Sequence, residues 1–502
     1  MSMTQQMPPL KAETLQQQFA ALNAFVRSAA REGTPIHEAE RGIWQRLLKL
    51  GRLALGQFLD LQGSGDQGEA LVLPDGHTCQ RLPQLHRRRY VSIFGEFLLQ
   101  RTAYGSREGQ RVEFVPLDNR LQLPASAFSY LLQDWDQALC AEQAFGQARA
   151  TVARILGPEQ SVDSLEQMNA DMAARVDEFR EGRPMPAPQQ EGELLVVSAD
   201  GKGVVMRRQA SDGPAPPHRA KGEKASHKRM ATVGAAYSVD RYPRTPEQVV
   251  AALFRDGPPD TGPRPQPQHK HVWASLGGGP EGEACSGADV VYPWLLNEVA
   301  ERNRGLVKEM VYLHDGQEAL WKACARHLPR KNATEVLDLL HVTPRLWQAA
   351  HLFCPEGSAE AEAFVRARLL RVLGGEAAGV IRGLRQMGTK RGLSGGRKKA
   401  LAAVCKYLGK NVGRMRYDEY LAKGYPIASG VIEGACRHLV KDRMERAGMH
   451  WTVTGAQVML DVRSIYVNGD WEAYQGYRIE RETQRLYPYR ALVQGGNFQM
   501  AA

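Results

Sequence analysis

The chain has 502 residues, of which 43% are hydrophobic and 24% charged, a balance typical of globular proteins with two to four domains. No apolar run approaches the ~20 residues that cross a membrane, and no N-terminal signal peptide is visible, so the sequence argues against a membrane protein and predicts a cytoplasmic one. The formal net charge is +10 with a pI near 9.2, which suits a nucleic-acid partner.

The N-terminal region begins with a Gln/Ala-rich segment, residues 1–35, that favours either a helix or a frayed end. Apolar residues then recur at helical spacing from Glu38 to Leu61, which predicts an amphipathic helix ended by the glycines of residues 63–68. His77, Cys79 and His86 follow, and these side chains could hold a metal ion. Because no second cysteine pair accompanies them, the pattern does not favour zinc. The seven scattered cysteines predict reduced thiols rather than disulfides.

Residues 88–116 have the pattern of a β-hairpin, with strands at 90–94 and 96–99, a return at 111–115, and Gly105 and Gly109 in the connection. The next segment is helical. One helix is predicted from Ala141 to Leu156 and a second from Asp163 to Phe179, with Glu166 completing a capping box. Two helices joined by a short turn could form a helix-turn-helix, although ordinary helical hairpins are commoner.

The stretch 181–190 is rich in Pro and Gly and predicts a linker before an α/β domain. Residues 230–239 favour a strand, whereas 207–229 and 256–287 are typical of long loops. From Arg382 to Lys423 the chain carries twelve Lys/Arg against two acidic residues. This excess predicts a surface that tracks phosphates, with Lys398 and Lys399 as candidate contacts. A solvated helical surface is the alternative.

Three acidic residues occupy positions suited to metal-dependent phosphodiester chemistry. Asp200 and Asp315 each end an apolar run, and Glu433 stands near the start of a predicted helix. Together they could hold two divalent cations, which clamp the attacking and leaving oxygens about 3.5–4 Å apart. Hard oxygen ligands favour Mg²⁺ or Mn²⁺. Taken singly, each Asp also fits a turn or cap, and the Glu fits the helix macrodipole.

Several strings in the second half resemble bacterial insertion-sequence transposases of the ISKra type, which are related to the ISLre and Mutator-like groups. The resemblance runs in unbroken order from about 194 to 485, and more loosely over 90–180. The strings are Ser198–Gly203, Lys228–Gly234, His314–Gly316, Asp338–His341, and Ile432–Gly434 continuing through Arg443-Met444 to Gly448–Trp451.

This resemblance implies a ribonuclease-H-like α/β core with a D-D-E triad, whose roles fall on Asp200, Asp315 and Glu433. It implies a helical insertion between the second and third acids, and a supporting C/D-x-x-H motif at Asp338 and His341. A histidine packed in the core is an equal alternative for His341. The implied partners are transposon terminal inverted repeats and a target duplex, bound by a homo-oligomer that is at least a dimer on DNA.

The implied organisation is an N-terminal DNA-binding region at 1–185, a first core segment at 190–345, a basic helical insertion at 346–425, a second core segment at 426–485, and a tail at 486–502. Candidate phosphate contacts near the acids are Lys202, Arg437 and Lys441. Arg437, four residues after Glu433, could equally form a plain ion pair. One departure from relatives is Tyr104-Gly105-Ser106-Arg107, which replaces a cysteine-bearing stretch and argues against a zinc-supported N-terminal module.

Two other functions fit the same residues. One is a ribonuclease-H-like nuclease or resolvase that cuts DNA without joining strands. The other is a domesticated DNA-binding protein without catalysis, against which the intact set of acids argues.

Overall fold

A computed structural model describes residues 14–105, 111–207, 228–257, 262–278, 285–446 and 448–493. The strands are β1 (Ala70–Val72), β2 (Thr78–Arg81), β3 (His86–Ser92), β4 (Gly95–Arg101), β5 (Tyr104–Gly105), β6 (Val112–Phe114), β7 (Leu194–Val205), β8 (Lys228–Val239), β9 (Gln268–Ser275), β10 (Glu309–His314) and β11 (Ala333–Leu337).

The α-helices are α1 (Leu15–Glu32), α2 (Ile36–Leu61), α3 (Pro116–Leu121), α4 (Tyr130–Glu142), α5 (Phe145–Leu156), α6 (Val162–Ala173), α7 (Val176–Glu181), α8 (Pro246–Phe254), α9 (Gly287–Arg302), α10 (Glu318–His327), α11 (Leu339–Ala350), α12 (Ala359–Leu373), α13 (Ala377–Lys390), α14 (Gly395–Asn411), α15 (Tyr417–Ala422), α16 (Gly430–Ala435), α17 (Asp442–Met444), α18 (Val453–Asn468) and α19 (Trp471–Leu486). A π-helix spans Cys436–Lys441, and 3₁₀ turns span Pro188–Gln190, Arg304–Leu306, Val412–Arg414 and Arg490–Val493.

The chain forms two compact units. The first contains Met1–Arg175 together with Glu472–Ala502, and the second contains Val176–Trp471. The first unit thus takes α19 from the far end of the chain, whereas the sequence suggested that residues up to 485 belong with the core. Within this unit the Tyr474 hydroxyl donates to the Met172 carbonyl, and Arg478 Nη1 lies 3.0 Å from Gln133 Oε1. These buried polar contacts fix α19 against α4 and α6.

The first unit confirms the amphipathic helix predicted after residue 38, as α2. It corrects three other predictions. The hairpin consists of β3 and β4 alone, because β6 pairs with β5 in a separate sheet of order β1-β2-β5-β6. The helix predicted from Ala141 to Leu156 starts later, because its first two residues end α4 and α5 begins at Phe145. The second predicted helix is capped by Ser161, whose Oγ accepts from the Ser164 backbone, and it ends at Ala173.

The second unit is built on a mixed five-stranded sheet of order β11-β10-β7-β8-β9. Strands β7, β9, β10 and β11 run in one direction, and β8, which lies between β7 and β9, is antiparallel to both of these neighbours. The strand predicted at 230–239 is therefore confirmed as β8. Strand β9 lies inside the 256–287 stretch expected to be a loop, so that expectation is wrong for 268–275. Most of the other predicted loop, residues 208–227, lies outside the described residues.

Helices cover both faces of this sheet, which is why its central strands are almost continuously apolar. Leu194 and Val196 of β7 pack with the helices that follow β11, including α12, α13 and α14. Their neighbours Leu195 and Val197 point to the opposite face and pack with α9 and α10. The second unit is thus a mixed α/β domain with a helical layer on each side.

Helices α12–α15 confirm the expectation of a helical segment between Asp315 and Glu433. Their apolar sides are buried in the core beside β7 and β11, and their basic residues are mostly exposed. Among the described residues, no helix is long and apolar enough to span a bilayer.

Candidate active site

Asp200 lies within β7, and Asp315 directly follows the neighbouring parallel strand β10. Ala199 of β7 is in register with His314 of β10, and each acid is the next residue along its strand direction. The position of Asp200 differs from the sequence prediction, because β7 continues beyond it and pairs with β8 as far as Val205. What ends at Asp200 is the pairing with β10. After β7 the chain adds β8 and β9 on one side of that strand, and later β10 and β11 on the other. The two acids therefore lie where the strand order reverses, and α/β proteins commonly place their sites at such a switch point.

His314 fixes the two strands immediately before the acids. Its side chain is fully buried, and its Nδ1 accepts a hydrogen bond of 2.9 Å from the backbone nitrogen of Ala199. The Tyr292 hydroxyl lies 3.3 Å from its Nε2. Burial lowers the pKa of His314 to about 3. The imidazole is therefore neutral, and Nδ1 remains available as an acceptor.

Glu433 reaches this edge from α16, whose first turn it occupies. The residue before that helix, Ser429, anchors it: the Ser429 backbone nitrogen lies 3.1 Å from Asp338 Oδ1, and its Oγ lies 2.6 Å from Asp338 Oδ2. These bonds join segments 91 residues apart in the chain. Asp338 follows β11, and its backbone nitrogen donates to the carbonyl of His314. One buried carboxylate therefore places the helix of the third acid beside the strand of the second.

Asp338 also orients His341. The Asp338 side chain is completely buried and caps α11 by accepting from the Leu340 backbone at 3.0 Å. Its Oδ2 lies 2.6 Å from His341 Nδ1. Since the carboxylate only accepts, the proton is on Nδ1 and the imidazole presents Nε2. Each Asp338 oxygen thus has two donors, so the role of this residue is to position its neighbours.

Burial and neighbouring carboxylates disfavour the ionised form of two of these acids, Asp315 and Glu433. Burial raises the pKa of Asp315, and the Asp200 carboxylate adds to the rise. Burial likewise raises the pKa of Glu433, with further contributions from Asp338 and Asp200 that His341 partly offsets. The hydrogen bond to Asp338 raises the pKa of His341. Carboxylates that disfavour one another's ionised form gain most from a bound cation.

The donor set fits a metal with hard-ligand preference. Ligand atoms of Asp338, His341 and Glu433 all lie within 4.8 Å of one another. Glu433 therefore lies beside the two residues of the D-x-x-H motif. Asp200 and Asp315 are outside that close group, although each is coupled to its members through the charge interactions above. Because most of the candidate ligands are carboxylate oxygens, the group suits Mg²⁺ or Mn²⁺.

The loop after Asp315 packs against the helical insertion. The Asp315 carboxylate accepts from the Gln317 backbone at 2.8 Å, and its carbonyl accepts from Trp321 Nε1 at 2.7 Å. A Cβ added to Gly316 would lie 2.3 Å from the Tyr407 ring of α14. Glycine is required there because the ring occupies the space of a side chain. The insertion thus contacts the loop that carries the second acid.

The predicted DNA contacts have different surroundings. Lys202 Nζ lies 3.6 Å from Glu445, which Lys228 also contacts at 2.7 Å. Arg437 is 70% exposed, with its Nε 3.7 Å from Asp442. Arg437 and Lys441 lie on the π-helix that follows α16. Lys398 and Lys399 are exposed in the first turn of α14.

The segment after the π-helix docks on the end of β7. The Trp451 backbone nitrogen lies 3.0 Å from the Val205 carbonyl, and the Arg207 nitrogen lies 2.7 Å from the Trp451 carbonyl. Arg443 is fully buried, with its guanidinium 5.0 Å from the Trp451 ring centre. The last of the strings that resemble the transposases, Gly448–Trp451, therefore supports the strand of the first acid. Single-turn π-helices often accompany functional sites.

Sequence reasoning assigned no role to His314, Ser429, Cys436 or Tyr407. Cys436 is buried, and its Sγ donates to Asp200 Oδ2 at 3.5 Å. Only His314 gave a usable signal, because it is the polar residue of a strand that is otherwise apolar from Met310 to Leu313. The partners of Ser429 and Tyr407 come from distant segments, so local sequence patterns contain no sign of them.

No protein-family model and no curated protein sequence matches the chain. Among solved structures, the Drosophila P element transposase strand transfer complex gives a match at 11% identity, covering 79% of this chain and 90% of that chain, with a TM-score of 0.24. A score of that size is too low to assign a shared fold.

Proposed function

We propose that this chain is a DNA transposase whose second unit is a ribonuclease-H-like core with Asp200, Asp315 and Glu433 as its catalytic acids. The observation that carries the proposal is that Asp200 and Asp315 directly follow a pair of residues in register on β7 and β10, and that the Asp200 carboxylate raises the pKa of both Asp315 and Glu433. The helical insertion between the second and third acids is a further support, because it is what the sequence resemblance implies.

Two divalent cations held there would activate a water or a 3′ hydroxyl and stabilise the leaving oxygen of the phosphodiester. The chain's own residues have other tasks. Asp200 and Asp315 would provide oxygens from adjacent strands, at positions set by His314. Glu433 would close the site from α16, where Ser429 and Asp338 hold it. No covalent link between protein and DNA is needed, because both nicking and joining use an oxygen nucleophile that is not part of the protein.

His341 has a supporting role beside Glu433 in the proposal. Asp338 holds the proton on Nδ1, and Glu433 belongs to the same close group of potential metal ligands. Carboxylate–imidazole pairs of this kind fix the tautomer of a histidine at a metal site. His341 would therefore help to hold or orient the cation nearest Glu433. The exposed lysines of α14 would contact the phosphates that flank the reacting one.

The decisive experiment offers the full chain and Mg²⁺ a labelled duplex made from the DNA that flanks its reading frame, together with a supercoiled target plasmid. We expect nicking at the element's end and covalent joining of the freed 3′ end to the plasmid. Nicking without any joined product would instead support a nuclease or resolvase. Binding without either reaction would support a non-catalytic DNA-binding protein and overturn the proposal.

A further inference from the structure

Three side chains of metal-binding type meet in the small sheet of the first unit, far from the acids in the chain. His77 precedes β2, Cys79 lies within β2, and Glu113 is the middle residue of β6. His77 Nε2 lies 3.0 Å from Glu113 Oε2, and Cys79 Sγ lies 3.2 Å from the same oxygen. All three ligand atoms fall within 4.8 Å of one another. His86, the third residue considered from the sequence, is not in this group.

The backbone is shaped to bring them together. Strand β5 lies between β2 and β6, and its Gly105 pairs with Gln80 on one side and Val112 on the other. The β5–β6 register slips between Tyr104 and Gly105, which leaves Glu113 as an extra residue. Such bulges redirect a side chain out of its expected place. A Cβ at Gly105 would lie 1.8 Å from the Arg111 carbonyl oxygen, so only glycine allows this close approach.

We propose that His77, Cys79 and Glu113 bind a zinc ion, with water in the fourth position. Imidazole, thiolate and carboxylate are all zinc ligands, and a thiolate disfavours Mg²⁺. A tetrahedral zinc with ligand bonds of about 2.0–2.3 Å sets neighbouring ligand atoms roughly 3.4–3.6 Å apart. The observed 3.0 and 3.2 Å separations therefore need to widen by only a few tenths of an ångström. Cys79 is completely buried, whereas His77 is 49% exposed and gives the ion a path from solvent.

The role of the ion follows from how little else holds this sheet. Its strands β1, β2, β5 and β6 contain three, four, two and three residues. The buried apolar residues beneath them are Leu73, Cys79, Tyr104, Phe114 and Val493. Sheets this small have little independent stability, and a bound metal adds its binding free energy to folding. The zinc would link the first and last parts of the sheet across the short β5.

The test measures zinc in the full-length protein after exhaustive dialysis, and the absorption spectrum after cobalt substitution. We expect one zinc per chain and a thiolate–cobalt charge-transfer band. Both should be lost in Cys79→Ser and strongly reduced in His77→Gln and Glu113→Gln. Matched controls are Cys285→Ser, a partly exposed cysteine elsewhere, and His86→Ala, and both should keep the metal. Zinc should also raise the melting temperature of the wild type but not that of Cys79→Ser.

Substoichiometric zinc in the wild type, or equal zinc in wild type and Cys79→Ser, would overturn the site. Loss of zinc in His86→Ala with retention in Glu113→Gln would overturn the ligand set. If a variant melts at low temperature, His77→Gln decides the matter, because this side chain is 49% exposed and its replacement disturbs the fold least. A variant with Asp200→Asn, Asp315→Asn and Glu433→Gln should retain its zinc. The outcome is therefore separate from that of the transposase proposal.

Discussion

The Nδ1 atom of His314 lies 2.9 Å from the backbone nitrogen of Ala199, so a neutral histidine joins the two strands just before Asp200 and Asp315. This side chain thereby sets the relative positions of the two acids along the strand direction, at the point where backbone pairing between β7 and β10 stops. The bond requires an unprotonated Nδ1, and this requirement makes the site's framework sensitive to acid.

The first prediction concerns that sensitivity. The pKa of His314 is lowered to about 3 in the folded protein, so the unfolded chain binds its proton first as the pH falls. The contribution of this group to stability is complete above the unfolded pKa near 6.5 and is lost on acidification towards pH 3. At pH 5 the loss amounts to roughly 2 kcal/mol. His314→Leu should remove this acid-dependent part while costing about 1–3 kcal/mol at neutral pH, because Ala199 loses its acceptor.

Urea unfolding of the wild type and His314→Leu at pH 7.5 and pH 5 measures both effects. His37→Leu, which changes a histidine whose side chain is 68% exposed, is the control. An equal loss of stability between the two pH values in wild type and His314→Leu would contradict the prediction.

The second prediction concerns the three acids. Asp200→Asn, Asp315→Asn and Glu433→Gln each keep the side-chain shape and remove a charge that would hold a cation. Each should slow Mg²⁺-dependent cleavage about a thousandfold, which corresponds to a rise of roughly 4 kcal/mol in the activation free energy. The triple variant should be no slower than the singles, because the acids act as one unit. Glu360→Gln, an exposed acid of α12, should cleave normally. Normal cleavage by a folded single variant would exclude that acid.

The third prediction separates a catalytic acid from a structural one. The pKa of Asp315 and that of Glu433 are raised in the folded protein. Their ionisation therefore costs folding free energy, a cost that is absent at low pH and grows as the pH rises through the unfolded and then the folded pKa. Without Mg²⁺ at neutral pH, Asp315→Asn and Glu433→Gln should melt higher than the wild type, and added Mg²⁺ should narrow the gap. If either acid only formed a turn or capped a helix, its variant would melt at a lower temperature than the wild type.

The fourth prediction concerns the pair behind Glu433. Asp338→Asn removes the acceptor of the His341 Nδ1 proton, so the imidazole should change tautomer. We expect cleavage to fall about 10–100-fold, the usual effect of losing a partner that orients a metal-site histidine. Asp338→Asn should also lower the melting temperature, because Ser429 loses part of its anchor, whereas His341→Gln should lower cleavage with little change in melting. Equal losses of stability in both variants would assign the pair a purely structural role. Asp163→Asn, an exposed acid of α6, is the control.

The fifth prediction concerns the basic insertion. Neutralising Lys398 and Lys399 in the first turn of α14 should weaken binding to all duplexes alike. It should also flatten the log–log salt dependence by roughly 0.9 per lost phosphate contact. Lys322→Gln with Lys331→Gln removes the same charge from exposed positions elsewhere in the second unit and controls for net charge. An unchanged slope in the Lys398/Lys399 variant would mean that these lysines only solvate the surface.

The sequence by itself indicated three of the strands of the α/β unit, β7, β8 and β10. Apolar runs long enough to be buried on both faces identified β7 and β10, because a central strand covered by two helical layers has no polar side. Glycine and proline marked the breaks. Where pairing depended on distant segments, the sequence failed: β6 belongs to a different sheet from β4, and β9 lay hidden in a stretch that resembles a loop.

The tertiary structure alone decided how the candidate sites are assembled. Ser429 binds Asp338 across 91 residues, and Tyr407 of the insertion fills the space beside Gly316. Glu113 joins His77 and Cys79 only because of a register slip beside Gly105. Hydrogen bonds and ion coordination depend on a few tenths of an ångström between atoms far apart in the chain. The periodicity of apolar residues shows which side of one helix or strand is buried. It does not show which distant segment packs against that side and completes a site.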